Sequence, residues 1–233
     1  MNDPQEFLQR LPQDERAALL LLATRQNAAR GELIFQPGSP GHSVYFLETG
    51  RVKIYHLSPT GREVVLWFCA PGEIFGLAEV CHTSFRQVYA EANVASQFFI
   101  VRESDFKLFL AAHPAAALLV NDVLASRLRS LGTVVQSLVA NDVNMRVLQL
   151  LLRLAASHGQ PVSDHHVKLG MPLTHQEMAD MIGTTRQSVS TALGLLRRQG
   201  AVSVTRRCIS IVPEQLQTLL SQAQPTAKVR LSQ

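Results

Sequence analysis

The stretch from Leu173 to Ile211 constrains this chain more than any other part of it. Thr174-His175-Gln176-Glu177 is a capping box, in which the threonine hydroxyl accepts from the Glu177 backbone and the glutamate carboxylate reaches back to the cap, so a helix starts here. Its apolar positions Met178, Met181 and Ile182 lead to Gly183, a residue able to make a tight turn, and Thr184-Thr185 offers a second cap before Arg186. From Arg186 to Arg198 the spacing predicts a second helix that buries Val189, Leu193 and Leu196. After Gly200, Val202-Ser203-Val204 and Ile209-Ser210-Ile211 alternate as two strands, with Arg206 and Arg207 at the tip between them. Capped helix, glycine turn, second capped helix and basic-tipped hairpin together predict a winged helix-turn-helix.

The second helix leaves Arg186, Gln187, Ser190, Thr191 and Gly194 on a face apart from the buried one, with Thr185 and Ser188 at its start. These are small, polar or forked donors, the kind that read a DNA major groove. Arginine clasps guanine O6 and N7, glutamine pairs with adenine, and serine or threonine touches bases or phosphates. Arg206 and Arg207 would meet phosphates, which position a protein without conferring sequence information. The competing reading is a helical hairpin with solvated polar faces; the two caps, the polar face and the wing count jointly against it.

The bulk properties agree. A length of 233 residues suits two domains of roughly 100 to 150 residues, each with its own core. The net charge of +4 suits a polyanionic partner weakly, but Arg186, Arg197, Arg198, Arg206 and Arg207 crowd one short stretch. Met1 to Arg10 carries charges and no apolar run, so a secretory signal is not expected, and no apolar stretch approaches the roughly 20 residues that span a bilayer. A cytoplasmic protein with no membrane partner is the expectation. Three cysteines, Cys69, Cys81 and Cys208, are too few and too scattered for a disulfide framework. No constellation suggests catalysis, so no enzyme is expected.

Between Gly31 and Val101 short β-rich runs (Leu33 to Phe35, Val44 to Leu47, Val52 to Tyr55, Val64 to Phe68) alternate with turns about ten residues apart at Pro37-Gly38, Gly50, Pro59 to Gly61 and Pro71-Gly72. That spacing predicts a small β-sandwich or roll. A helical segment starts near Glu103, breaks at Pro114 and resumes to about Val139. Within it Asn121, Leu124, Leu128, Leu131, Val135 and Leu138 follow steps of three and four, the seam of a coiled coil and a candidate dimer interface. The alternative is a stripe packed on the chain's own β domain. Asn141-Asp142 interrupts the helix and caps the next, Val143 to Ala156, with Met145, Leu148, Leu151, Leu152 and Ala155 as its apolar face. Ser157 to Gly170 reads as a loop or short hairpin.

The run from Leu173 to Ser190 resembles the helix-turn-helix of the CRP/FNR family of bacterial transcription factors. Val44 to Lys53 and Pro71-Gly72-Glu73-Ile74-Phe75-Gly76 resemble that family's β-roll, so the resemblance covers nearly the whole chain. It implies an α+β fold: an effector-sensing, cyclic-nucleotide-binding-like jelly roll over residues 1–113, a dimerisation helix over 114–141, a winged helix-turn-helix over 142–224 and a flexible tail over 225–233. It implies a homodimer on a palindromic DNA operator, with RNA polymerase as a partner if the protein activates. Arg186 matches the arginine that reads a guanine, and Thr174 a phosphate-contacting position. Gln187 and Thr191 stand where many members carry glutamate and arginine.

The resemblance also places an effector pocket at Gly76, Leu77, Arg86, Gln87 and Leu131. Cyclic AMP-binding members carry a glutamate for the ribose where Leu77 stands, a serine after the arginine where Gln87 stands, and adenine-binding hydroxyls at Leu131-Gly132. Only the arginine survives, as Arg86. Losing the ribose acceptor costs roughly 1 to 3 kcal/mol, which disfavours cyclic AMP. The family's iron–sulfur branch uses an amino-terminal cysteine cluster, and no cysteine here precedes Cys69, so the resemblance excludes that cofactor. The resemblance leaves haem open, with Cys81-His82, His42, His56 and His113 in the sensing region. Cys81 and His82, if neighbours on a strand, point to opposite faces and would not ligate one iron together. His165-His166 is read as solvated, and no metal site is expected.

Overall fold

The computed structural model describes residues 6–81, 85–140, 142–163, 165–170, 172–205 and 208–223, and the chain divides into two compact units, Met1–Gly132 and Thr133–Gln233. The division falls inside the long helix. His82, Asn141, Arg206, Arg207 and the tail 225–233 lie outside the described residues, as do the side chains of Cys81 and Leu138.

In the first unit, helices α1 (Phe7–Arg10) and α2 (Gln13–Leu21) precede strands β1 (Thr24–Ala28), β2 (Leu33–Phe35), β3 (Ser43–Thr49), β4 (Val52–Leu57), β5 (Glu63–Cys69) and β6 (Ile74–Phe75). A four-residue helix, α3 (Ala78–Cys81), then leads to β7 (Tyr89–Ala92), β8 (Ser96–Arg102), α4 (Glu103–Ala112) and the long α5 (Pro114–Ala140). The strands form two antiparallel four-stranded sheets, ordered β1-β8-β3-β6 and β2-β7-β4-β5. The four runs read from sequence all became strands. The segment before Gly31 and the run Ser96 to Arg102 add β1 and β8, which pair from Thr24↔Ile100 to Ala28↔Ser96.

The near-continuous apolar run of β3 follows from burial on both faces. Tyr45 and Leu47 point between the sheets, where Phe35, Val52, Ile54, Phe75, Ala90 and Phe98 meet them. Val44 and Phe46 point the other way, into a second cluster with Phe7, Leu19, Val101, Phe106, Phe109, Ala116, Val120 and Val123. Helices therefore cover the outer face of one sheet, and each large side chain sealed there contributes roughly 1.5–3 kcal/mol of hydrophobic stabilisation. The proline break at the start of α5 and the strand-to-helix change at Glu103 fall where the sequence predicts them.

In the second unit Asp142 caps α6 (Val143–His158), accepting from the Met145 backbone at 2.9 Å. The apolar face of α6 departs from expectation. Leu152 and Ala155 are only half-buried, whereas Val147, Leu150 and Leu154 join Met145, Leu148 and Leu151 in the core, because the helix is packed on more than one side. The polar segment after it is a hairpin, β9 (Gly159–Ser163) and β10 (His166–Leu169). Then come α7 (His175–Met181), α8 (Arg186–Arg198), β11 (Val202–Thr205), β12 (Cys208–Ile211) and α9 (Pro213–Ala223). The two hairpins merge into one antiparallel sheet ordered β11-β12-β10-β9.

One local expectation is corrected. Cys81 ends the short helix α3 and is not on a strand, while His82, and with it the relation of the two side chains, lies outside the described residues. The segment winds after the turn at Gly76 instead of extending, and it carries the Glu79 carboxylate inward, where that residue is 4% exposed. Among the described residues no single helix is long and apolar enough to cross a membrane.

Candidate nucleic-acid interface and effector site

The capping box at α7 is complete. Thr174 Oγ1 accepts from the Glu177 backbone at 3.1 Å, and the Glu177 carboxylate accepts from the Thr174 backbone at 2.7 Å. Gly183, at φ +63°, turns the chain, and the Thr184 backbone donates to the Ala179 carbonyl at 3.0 Å to close the turn. Thr185 caps α8 by accepting from the Ser188 backbone at 3.2 Å. Val189, Ala192, Leu193 and Leu196 are buried, which fixes the rotation of α8 about its axis.

That rotation exposes Arg186, Gln187, Ser190 and Thr191 together and leaves Ser188 half-buried. The hydroxyls of Ser190 and Thr191 donate to the carbonyls of Arg186 and Gln187 at 2.9 and 3.1 Å, keeping lone pairs for incoming donors. Arg186 lines an open cleft with Thr174, His175, Gln176, Val204 and Ile209, so one recess joins the α7 cap, the recognition helix and the wing. Thr205 pairs with Cys208 at the tip of the wing, where the sequence places Arg206 and Arg207. A positively charged, hydroxyl-rich helix face beside a β-hairpin is chemically suited to a polyanionic duplex.

Sequence reasoning passed over His175 as a site residue. Its Nδ1 lies 2.7 Å from the Ser190 hydroxyl, so it links α7 to α8 at the exposed edge. A histidine at the first position of a capped helix, opposite a serine on the next, is the only sequence sign of it.

In the roll, Arg86 is 1% exposed and stacks over the Phe35 ring at 4.3 Å, with Tyr45 at 5.5 Å. Nη1 donates to the Gly76 carbonyl at 3.1 Å and to Glu79 Oε2 at 2.5 Å; Nη2 donates to the Ser43 carbonyl at 2.5 Å. Burial pushes the Tyr45 phenol above its ordinary value, and the neighbouring guanidinium works in the opposite direction. Of the residues placed in the pocket from sequence, Gly76 and Arg86 meet. Leu77 packs in the helix-covered cluster on the other face of the sheet, Gln87 is exposed with its amide donating to the Phe85 carbonyl at 3.3 Å, and Leu131 is half-buried on α5. Glu79 was not singled out from the sequence; an acid seven residues before the lone surviving arginine is its only signal.

Among the described residues no group of three or more His, Cys, Asp or Glu side chains is placed to hold a metal ion. His42 stands 3.4 Å from Glu103 and His113 3.6 Å from Glu15, each beside its own carboxylate. His56 is exposed, and His165 Nδ1 lies 3.9 Å from Glu214 at the surface.

On α5 the buried positions Ala116, Val120, Val123 and Arg127 face the roll, and Arg127 donates to the Ile74 carbonyl while its guanidinium lies 5.0 Å from the Trp67 ring. The predicted seam runs along a different side of the same helix. Leu124, Leu128 and Val135 are exposed there, by 36, 70 and 61%, and Asn121 is exposed as well.

The family model for cyclic nucleotide-binding domains matches residues 25–113, and that for Crp-like helix-turn-helix domains matches residues 145–219. A global nitrogen regulator of Synechocystis sp. is 29% identical over 184 residues, covering 78% of this chain and 81% of its own. A CRP-like cAMP-activated global transcriptional regulator of Mycobacterium tuberculosis is 28% identical over 182 residues, covering 78% and 81%. Among solved structures, FixK2 from Bradyrhizobium japonicum superposes with a TM-score of 0.74 at 25% identity, covering 84% of this chain and 96% of that one.

Proposed function

This chain belongs to the CRP/FNR family of DNA-binding transcription regulators, and on that premise we propose that it acts as a homodimer whose two α8 helices read a palindromic operator under control of the β-roll. The observation that carries this reading is the exposed set Arg186, Gln187, Ser190 and Thr191 on a helix held by the Thr185 cap and a buried apolar face. Arg186 and Gln187 are the base readers, with Ser190 and Thr191 beside them; Thr174, Thr185, Ser188, Arg206 and Arg207 hold phosphates.

Residues 114–141 serve as the dimerisation helix. Isolated apolar side chains at a surface are ordinary, but Leu124, Leu128 and Val135 repeat in steps of four and seven on one stripe, and a second copy of the stripe is what buries them. Each α8 then falls in one half of a two-fold site. The protein works in the cytoplasm as a regulator, not an enzyme, and engages RNA polymerase where it activates. An effector in the roll shifts the balance between DNA-competent and incompetent arrangements. The mycobacterial relative is named as cAMP-activated; here Leu77 turns into the apolar cluster, which disfavours that nucleotide for this chain.

Native mass spectrometry of the purified protein, with salt-dependent titration of a palindromic duplex, tests the reading. The expected outcome is a dimer mass and an affinity that falls steeply as salt rises, because phosphate neutralisation releases counterions. A monomer that ignores the duplex would refute it.

A further inference from the structure

We propose that Glu79 is an internal competitor at the guanidinium of Arg86: an oxyanion effector enters the roll by exchanging with its carboxylate, and without effector Glu79 keeps the site closed. This rests on the reading of the roll as a sensor, and it names how that sensor is gated.

Arg86 and Glu79 are both sealed, with side chains 0 and 3% exposed, and they sit 2.5 Å apart. A buried guanidinium against the rings of Phe35 and Tyr45 cannot stay charged without a counter-charge, and the described residues supply it through Glu79. The pairing is incomplete. Glu79 reaches Nη1 through Oε2, Nη2 is spent on the Ser43 carbonyl, and the buried Nε has no partner among the described residues. A native structure rarely leaves such a donor bare. A phosphate, phosphodiester or carboxylate with two free oxygens spans two N–H groups of the guanidinium at once, the geometry in which arginine binds most strongly.

The two partners are held unequally. The backbone of Arg86 is pinned on both sides, its N–H donating to the Ser39 carbonyl at 2.8 Å and its carbonyl accepting from Gly38 at 2.9 Å, while Phe35 and Tyr45 fix the guanidinium from two different sheets. Glu79 rides on α3, a four-residue helix between β6 and β7. Exchange therefore moves α3 and spares the sheets. At Gly76 a side chain would stand 2.9 Å from Nη1, so the bare backbone leaves room beside the guanidinium. An uncharged ligand cannot replace Glu79, because it would leave the buried cation unpaired. The competitor also lowers apparent affinity by the fraction of molecules in which the site is open.

The test titrates inorganic phosphate and cyclic AMP, as two probes of oxyanion chemistry, into the full chain by calorimetry. Glu79→Gln removes the competing charge and is expected to bind at least one probe ten-fold or more tighter than the wild type, while Arg86→Gln binds neither. Glu79→Asp keeps the counter-charge at the site, and so the fold, but retracts it from Nη1; it is expected to gain affinity in the same direction by a smaller factor. If the folded variants at Glu79 bind both probes no tighter than the wild type, the proposal is overturned. Duplex binding by the same wild-type preparation is scored separately: its loss would overturn the regulator reading whatever the probes do.

Discussion

His175 Nδ1 lies 2.7 Å from the Ser190 hydroxyl, joining the first residue of α7 to the second turn of α8. Because that hydroxyl donates its own proton to the Arg186 carbonyl, it receives the imidazole N–H. Ser190 thus spends part of its bonding capacity on holding the two helices at a fixed angle. His175→Ala and Ser190→Ala are each expected to cost about 0.5–1.5 kcal/mol of stability, and the double variant less than the sum. Denaturant unfolding of the four proteins in the cycle measures this; strict additivity would show that the contact carries no energy.

Arg186 is exposed and opens into the cleft shared by cap and wing. Arg186→Ala is expected to weaken a specific duplex by about 1 to 3 kcal/mol while sparing binding to unrelated sequence. Electrophoretic mobility shifts on both duplexes, at one salt concentration, give the ratio. Equal loss on both would assign Arg186 to the phosphate backbone.

The α5 stripe makes a prediction about assembly. A glutamate at Leu128, which is 70% exposed, adds no strain to the single chain but places two like charges face to face in the dimer. Leu128→Glu is expected to shift the sedimentation profile to the monomer, with each unit's thermal unfolding otherwise unchanged. A dimer that survives the charge would move the interface elsewhere on the surface.

The elements the sequence exposes best are those specified by local chemistry. The two caps, the turn at Gly183 and the apolar phase of α8 are each written within four residues of where they act, and all appear as predicted. Strand β1 is Thr-Arg-Gln-Asn-Ala, polar at four of five positions, and exists because it pairs with β8 from far along the chain; no local pattern announces it. α6 misled for the opposite reason, since a helix packed on several sides has no single apolar stripe to read. The same division holds at the sites. The reading face of α8 follows from helical periodicity, whereas Glu79 reaches Arg86 only through the folding of α3 against the roll, which spacing along the chain does not encode.

Cys69 gives a dependence on pH. Burial, reinforced by the nearby Glu73 carboxylate, pushes its thiol up to about 12 from an ordinary 9.0, with the Arg127 charge pulling the other way. A raised folded value means the neutral thiol is the form that fits. Its contribution to stability is complete below about pH 9 and is lost as pH climbs toward 12. In a chain carrying Cys81→Ser and Cys208→Ser, Cys69 is expected to resist alkylation at pH 8 until denaturant unfolds the roll. Rapid labelling of the native protein would contradict the burial.

Gly50 makes the sharpest prediction about the roll itself. It sits at φ +94° in the β3–β4 connection, and a methyl group there would stand 2.3 Å from Ser96 Oγ and 2.6 Å from the Ala95 carbonyl. Ser96 cannot step aside freely, since its hydroxyl accepts from the Arg51 backbone at 3.1 Å and donates to the Val94 carbonyl at 2.8 Å. Gly50→Ala therefore combines backbone strain with a clash and a broken buried hydrogen bond, and is expected to cost about 3 kcal/mol or more. Gly38, at φ +83° with nothing among the described residues within 4 Å of a new methyl, separates the two causes. Gly38→Ala carries the strain alone and is expected to cost about 1–2 kcal/mol. Thermal unfolding of both variants distinguishes them: equal losses would mean that the close approach of Gly50 to Ser96 adds nothing beyond its dihedral angle.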